Sequence, residues 1–162
     1  MSSRVWKAKA TGDSARRKPA LYAANHSAPE HARARSWLDD RLNGTARVGL
    51  PWPSLLAFVR LAANPLVVRQ PVIPREGWRQ VEAWLACGPA WIPLPGREHS
   101  HYLSTLLSAS WMTSRLVPDA HLAALALEHG LTLCSTDGDF ARFPGLRWRN
   151  PLAADPNADW SA

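Results

Sequence analysis

Cysteine is scarce in this chain. The two present, Cys87 and Cys134, are far apart, form no Cys-x-x-Cys pair and have no cluster of histidines beside them. That excludes a disulfide framework and a thiolate zinc site, and both read as small buried fillers. Long apolar runs are missing too: nowhere do about 18 uncharged apolar residues follow one another, so no segment reads as a membrane-spanning helix. The first ten residues, Met1 to Ala10, carry charge without the apolar stretch of a secretory signal, and the expected location is cytoplasmic. No internal repeat or low-complexity stretch competes with a globular reading.

Acidic residues are outnumbered, with 13 Asp+Glu against 19 Lys+Arg for a net charge of +6. Such a balance favours a polyanionic partner such as nucleic acid. Much of the excess sits in Arg4, Lys7, Lys9, Arg16, Arg17 and Lys18, a basic leader that a solvated tail explains as readily. Hydrophobic residues make up 46% of the 162 and charged residues 20%, the composition of one globular domain of ordinary size. The expected division is a disordered basic leader over 1–20, a single domain over 21–152 and a frayed tail over 153–162.

Within that domain, Ser27 and Glu30 have capping-box spacing and open a helix. Trp37, Leu38 and Leu42 recur along it at helical spacing, and Asn43-Gly44 stops it. A short strand over 46–50 is followed by a helix over 54–63, with Leu55, Phe58, Val59 and Ala62 on one face and Asn64-Pro65 as its end. A helix over 74–86, a strand over 90–94 and an amphipathic segment over 98–109 come next. Leu116-Val-Pro-Asp119 opens a helix with Leu122, Leu125 and Ala126 inward, closed by Gly130. Then come a strand over 131–134, a loop over 135–139, a helical turn over 140–143 and a last strand over 146–149. Short strands alternating with helices predict an α/β sandwich around a mainly parallel sheet, whose ligands gather at the carboxyl ends of the strands.

The chemistry-bearing constellation is Asp119, in the first turn of a helix, with Asp137 and Asp139 directly after a strand. Clustered carboxylates suit a hard cation such as Mg²⁺, which keeps waters and accepts phosphate oxygens, and so suit phosphodiester hydrolysis. A purely structural reading stands beside it. The helix macrodipole favours an acid in a first turn, and Asp-Gly is a common turn pair. Spacing alone leaves both open.

The run Leu116-Val-Pro-Asp-Ala-His-Leu-Ala-Ala-Leu-Ala126, then Cys134-Ser-Thr-Asp-Gly-Asp-Phe140 through Trp148 and Asn150-Pro-Leu152, resembles the C-terminal half of VapC-type PIN-domain ribonucleases. So do Gly49-Leu-Pro-Trp52, Phe58-Val-Arg-Leu61, Asn64-Pro65 and Tyr22-Ala23 followed by His31, Trp37 and Leu38. The resemblance covers 21–152. It implies a PIN-like parallel sheet flanked by helices and a Mg²⁺- or Mn²⁺-dependent endoribonuclease, the toxin of a toxin–antitoxin pair. Its expected partners are an RNA substrate, a cognate VapB-type antitoxin that blocks the acidic site and a second copy in a homodimer, with no membrane. By the same resemblance Asp119 and Asp137 are metal ligands, Asp119, Asp137 and Asp139 form the catalytic set, and Ser135 or Thr136 orients the network.

Two of the family's acids have no counterpart. Its first strand is apolar and ends in an Asp, yet that slot falls on Arg16, with Asp13 three residues upstream, so the first strand is expected to be missing or altered. A shifted reading frame or start would produce such a leader. The family's second acid, a Glu in the helix after Leu-Pro-Trp, falls where Pro53 and Ala57 stand. The expectation is reduced or no catalysis, and the competing reading is a degenerate PIN domain that binds antitoxin or RNA without cutting.

Other residues have plainer readings. His99 and His101 are two apart and face different ways on a helix, which predicts surface or cap roles. His121 reads as a partly buried helix residue. Arg60, Arg69, Arg115, Arg142, Arg147 and Arg149 could grip phosphates, with solvated surface as the alternative. Trp52 and Trp148 could stack on bases, but core packing is the first expectation for both.

Overall fold

Proline and glycine mark the helix boundaries. In the computed structural model, which describes residues 5–7 and 31–153, helix α1 spans His31–Asn43 and buries Trp37, Leu38 and Leu42. The Ser27–Glu30 capping box lies outside the described residues. Helices α2 (Trp52–Ala62) and α3 (Pro74–Leu85) each carry proline in the first turn, where its missing N–H costs nothing. They bury Leu55, Phe58, Leu61 and Ala62 from α2 and Gly77, Val81 and Trp84 from α3. Helix α4 (His99–Leu107) packs along α5 (Val117–Glu128), which buries Asp119, Ala120 and every residue from Leu122 to Ala126. A 3-10 turn over Ser114–Leu116, which the periodicity does not predict, leads into α5.

Gly130 sits at φ 60°, a left-handed position that a Cβ disfavours, and this turns the chain from α5 straight into β4 (Thr132–Cys134). The other strands are β1 (Val5–Lys7), β2 (Val48–Gly49), β3 (Ala90–Trp91) and β5 (Trp148–Arg149). All five pair in parallel, in the order β3-β2-β1-β4-β5. The expected parallel α/β sheet is therefore present, with strands 2–3 residues long.

Side chains on a strand alternate between faces. On β4, Leu133 packs with α5, Leu106, Phe140 and Phe143, while its neighbour Cys134 packs with Trp37, Leu38, Leu55, Phe58, Val81 and Trp84. The sheet thus has a helical layer on each face, as an all-parallel sheet requires.

The first strand is altered rather than missing. Val5–Lys7 lies within the segment that composition assigns to a leader, yet it fills the central position, with Val5 opposite Val48 and Thr132 and Lys7 opposite Cys134. The reason is the backbone: β2 and β4 would otherwise present unpaired ladders to each other, and any non-proline residues can satisfy them. A pattern based on side-chain hydrophobicity does not register that demand. The remaining leader residues, Arg16 and Asp13 among them, lie outside the described residues.

Replacing Phe140, which is 1% exposed, by Ala is expected to cost about 3–5 kcal/mol in urea unfolding. Trp6→Pro removes a ladder donor from the central strand and should lower the unfolding midpoint. An unchanged midpoint would mean that β1 contributes nothing to the sheet.

Candidate active site

Because all five strands run the same way, their carboxyl ends share one edge. Helix α5 returns directly into β4 through Gly130 and so runs antiparallel to it, which sets the first turn of α5, with Asp119, at that edge. The loop leaving β4 carries Asp137 and Asp139 to the same edge. A side-chain contact ties the two segments: Arg115, just ahead of α5, places Nη2 3.3 Å from Asp139 Oδ2. Arg142 approaches the other oxygen of Asp139 at 3.8 Å.

Asp119 and Asp137 are 5% and 8% exposed. The Asp137 carboxylate caps the following 3-10 turn (Gly138–Arg142) by accepting Asp139 N–H at 3.1 Å, and its own N–H donates to Ser135 Oγ at 3.0 Å. Ser135 is fully buried, and its carbonyl accepts Trp148 Nε1–H at 3.0 Å. The acidic loop is thereby fixed from below by a hydroxyl and an indole. Thr136 Oγ1, between these residues, is buried without a hydrogen-bond partner. Asp139 differs from the other two: it is half-exposed and clasped by two arginines, so its charge is already balanced.

Pro53 and Ala57, at the places of the family's second acid, line an apolar groove with Leu56, Arg60, Val117, Pro118 and His121. The wall of α2 that faces the start of α5 therefore presents no carboxylate there. Among the described residues no three of His, Cys, Asp and Glu converge so as to hold a metal ion. The residues that could contribute are the pair Asp119 and Asp137, with the free hydroxyl of Thr136 in the same loop. Mg²⁺ takes as few as one or two protein carboxylates and completes its shell with waters and phosphate oxygens, so this donor set fits it at the low end.

Away from this edge, the structure corrects the surface role expected of His99. It opens α4 and is enclosed where α4 packs on α5, 7% exposed, while His101 is exposed. Its Nε2 is 3.0 Å from His121 Nδ1, and its Nδ1 lies 3.3 Å from Glu128 Oε2. Glu128 also accepts the backbone N–H of Gly96 at 3.1 Å and of Glu98 at 3.2 Å, which fastens the turn before α4 to the end of α5. Burial, and then the neighbouring His99, hold the His121 imidazole below its usual value. Burial raises the Glu128 carboxyl, but the two backbone donors, with His99 and His129, outweigh it and leave the group below its usual value.

The arginines also divide. Arg115 and Arg142 hold Asp139, and Arg147 Nη2 donates to Gly130 O at 2.6 Å, so these three serve the fold. Trp148 is half-buried, as core packing predicts; Trp52 is not, being 39% exposed and stacked on Trp78. At the first position of α2 a side chain points away from the helix body, which sequence periodicity could not distinguish from a core position.

A parallel sheet layered by helices on both faces, with buried acids at its carboxyl edge, defines a PIN-like domain. Comparison with known proteins places it further. The chain is 44% identical over 134 residues to Ribonuclease VapC37 of Mycobacterium tuberculosis (strain ATCC 25618 / H37Rv), a match covering 82% of this chain and 92% of that protein. It is 39% identical over 132 residues to Ribonuclease VapC43 and 35% identical over 132 to Ribonuclease VapC33 of the same strain, covering 82% of this chain and 90% and 92% of those proteins. No family model matches the chain. The chain belongs to the VapC ribonuclease family of PIN-domain proteins. Among the described residues no helix is long and apolar enough to cross a membrane.

A carboxyl that titrates lower in the folded protein than in the unfolded chain adds stability that is complete above the unfolded value and is lost as pH falls through the folded one. For Glu128 that window opens below pH 4.5. The difference in urea midpoint between the wild type and Glu128→Gln should be widest near neutrality and shrink below pH 4.5. A difference independent of pH would remove the Glu128 charge from the account.

Proposed function

We propose that this protein is a cytoplasmic endoribonuclease toxin of a toxin–antitoxin pair, cutting RNA through Asp119 and Asp137 with Mg²⁺ or Mn²⁺. The observation that carries this reading is the pair of buried aspartates at one sheet edge, in a chain 44% identical to a named ribonuclease. A divalent cation held by two buried carboxylates offsets their negative charge, and its open positions accept phosphate oxygens. When bound, the metal supplies a polarised phosphoryl group and an acidified water.

The protein's own groups do the positioning. Ser135 and the cap to Asp139 N–H hold the Asp137 carboxylate in one orientation. Asp119 sits where the positive end of the α5 dipole favours anions. Thr136 Oγ1 is a hydroxyl with an unmet hydrogen bond beside the acid, suited to a water or a phosphate oxygen. Asp139 acts through the fold, as the clasp with Arg115 and Arg142 that keeps the loop against the start of α5. A VapB-type antitoxin and a second copy of the chain are the partners that this reading carries with it.

One observation favours the second reading, a degenerate binder that does not cut. Pro53 and Ala57 leave the groove beside α5 without an acid, so fewer charges attract the metal. Incubating the purified chain with bulk RNA in Mg²⁺ or Mn²⁺ separates the two. The expected result is cleavage that stops with EDTA and falls at least roughly 100-fold in Asp119→Ala, the upper end of the loss when a metal site loses a supporting group. Intact RNA from a folded chain that still captures an antitoxin peptide would establish the second reading.

A further inference from the structure

Among the described residues, the large hydrophobic side chains left exposed are aliphatic except for one, Trp52, which is 39% exposed. Its position is specific. Trp52 is the third residue after the end of β2, as Asp137 is the third after the end of β4, and both follow the carboxyl ends of parallel strands. Only β1 lies between β2 and β4, and neighbouring strands are about 4.8 Å apart, so Trp52 and the acidic loop leave the sheet edge about 10 Å from each other.

The ring is also supported. Trp52 stacks on Trp78 of α3 with centroids 6.3 Å apart and planes 12° from parallel. Trp78 is half-buried against the core that holds Trp37, Leu55, Phe58 and Trp84. A ring braced in this way keeps its orientation without a partner and loses little freedom when a second flat group stacks on it. Arg75 stands one turn before Trp78 on α3 and is exposed, a guanidinium on the same helical face. The groove beginning at Pro53, next to Trp52, runs across to Val117 and Pro118, just before Asp119.

We infer that Trp52, braced by Trp78, is a stacking platform for one base of single-stranded RNA, which positions the strand so that a neighbouring phosphate lies at Asp119 and Asp137. The inference rests on the ribonuclease reading and adds a substrate contact to it. A flat aromatic ring with an exposed arginine on the neighbouring helix suits a base and its phosphate, because every base has a π-face and the backbone is anionic. The net charge of +6 acts in the same direction. Trp52 is a binding and positioning residue in this scheme, since the stack is made equally before and during the reaction.

The test measures binding in EDTA, so that no cleavage occurs. A labelled single-stranded oligouridine and the same oligomer with its bases removed are titrated with the full chain, with Trp52→Ala and with Trp52→Phe. The expected result is a loss of roughly 5- to 150-fold for Trp52→Ala on the base-bearing strand, the range for one base–aromatic stack. Trp52→Phe should keep most of the affinity, and on the base-free strand the three proteins should agree. Circular dichroism and urea midpoints report whether each variant is folded.

Equal affinity of wild type and Trp52→Ala for the base-bearing strand overturns the stacking role while leaving the ribonuclease reading in place. An equal loss on both strands, or an equal loss in Ala and Phe, reassigns Trp52 to the fold. Unchanged RNA affinity with weakened capture of an antitoxin peptide gives the surface to a protein partner instead. If the wild type binds neither strand, the stacking role falls, and metal-dependent cleavage of bulk RNA decides the ribonuclease reading on its own.

Discussion

Leu133 and Cys134 are adjacent on β4, both without exposed surface, and they face two different cores. This constraint organises the molecule. A strand buried on both faces needs a helical layer on each side, and parallel neighbours need crossover helices to return the chain, so the helices do both jobs. Parallel pairing then collects every carboxyl end at one edge, and the left-handed turn at Gly130 brings the start of α5 to it. Asp119 and Asp137 are 18 positions apart in sequence and share that edge because of this geometry.

The edge carries few acids, and its loop is held from within. Ser135 and Trp148 fix the loop, Asp137 caps the turn beyond it, and Arg115 and Arg142 balance Asp139. The acids buried at this edge are Asp119 and Asp137. The groove alongside is lined by Pro53, Leu56 and Ala57, so the field there is weaker than a ring of four acids would give.

Much of this was legible from residue patterns. The helices over 31–43, 52–62, 74–85 and 117–128 follow apolar spacing, proline at first turns and glycine at ends, which are local signals. The acidic loop was equally legible, because Ser-Thr-Asp-Gly-Asp after an apolar strand is a contiguous signature. Three features were not. The central strand Val5–Lys7 is only three residues long inside a basic segment and is set by backbone pairing with β2 and β4, which a reading of composition does not register. The clasp from Arg115 to Asp139 joins residues 24 apart, and the enclosure of His99 by His121 and Glu128 joins residues 22 and 29 apart. Contacts of that kind depend on which helix lies beside which.

The sequence by itself determined the class of fold, the family and the acids available, because these depend on local propensity and on contiguous motifs. Tertiary structure decided how each acid is placed: Asp119 and Asp137 are buried, while Asp139 is half-exposed between two arginines. It also decided that Trp148, in β5, is half-buried while Trp52, at the start of α2, is exposed, though core packing is the first expectation for both. The reason is the same in each case. Burial and pairing are properties of the surroundings, and the surroundings of a side chain are set by residues far away in the chain.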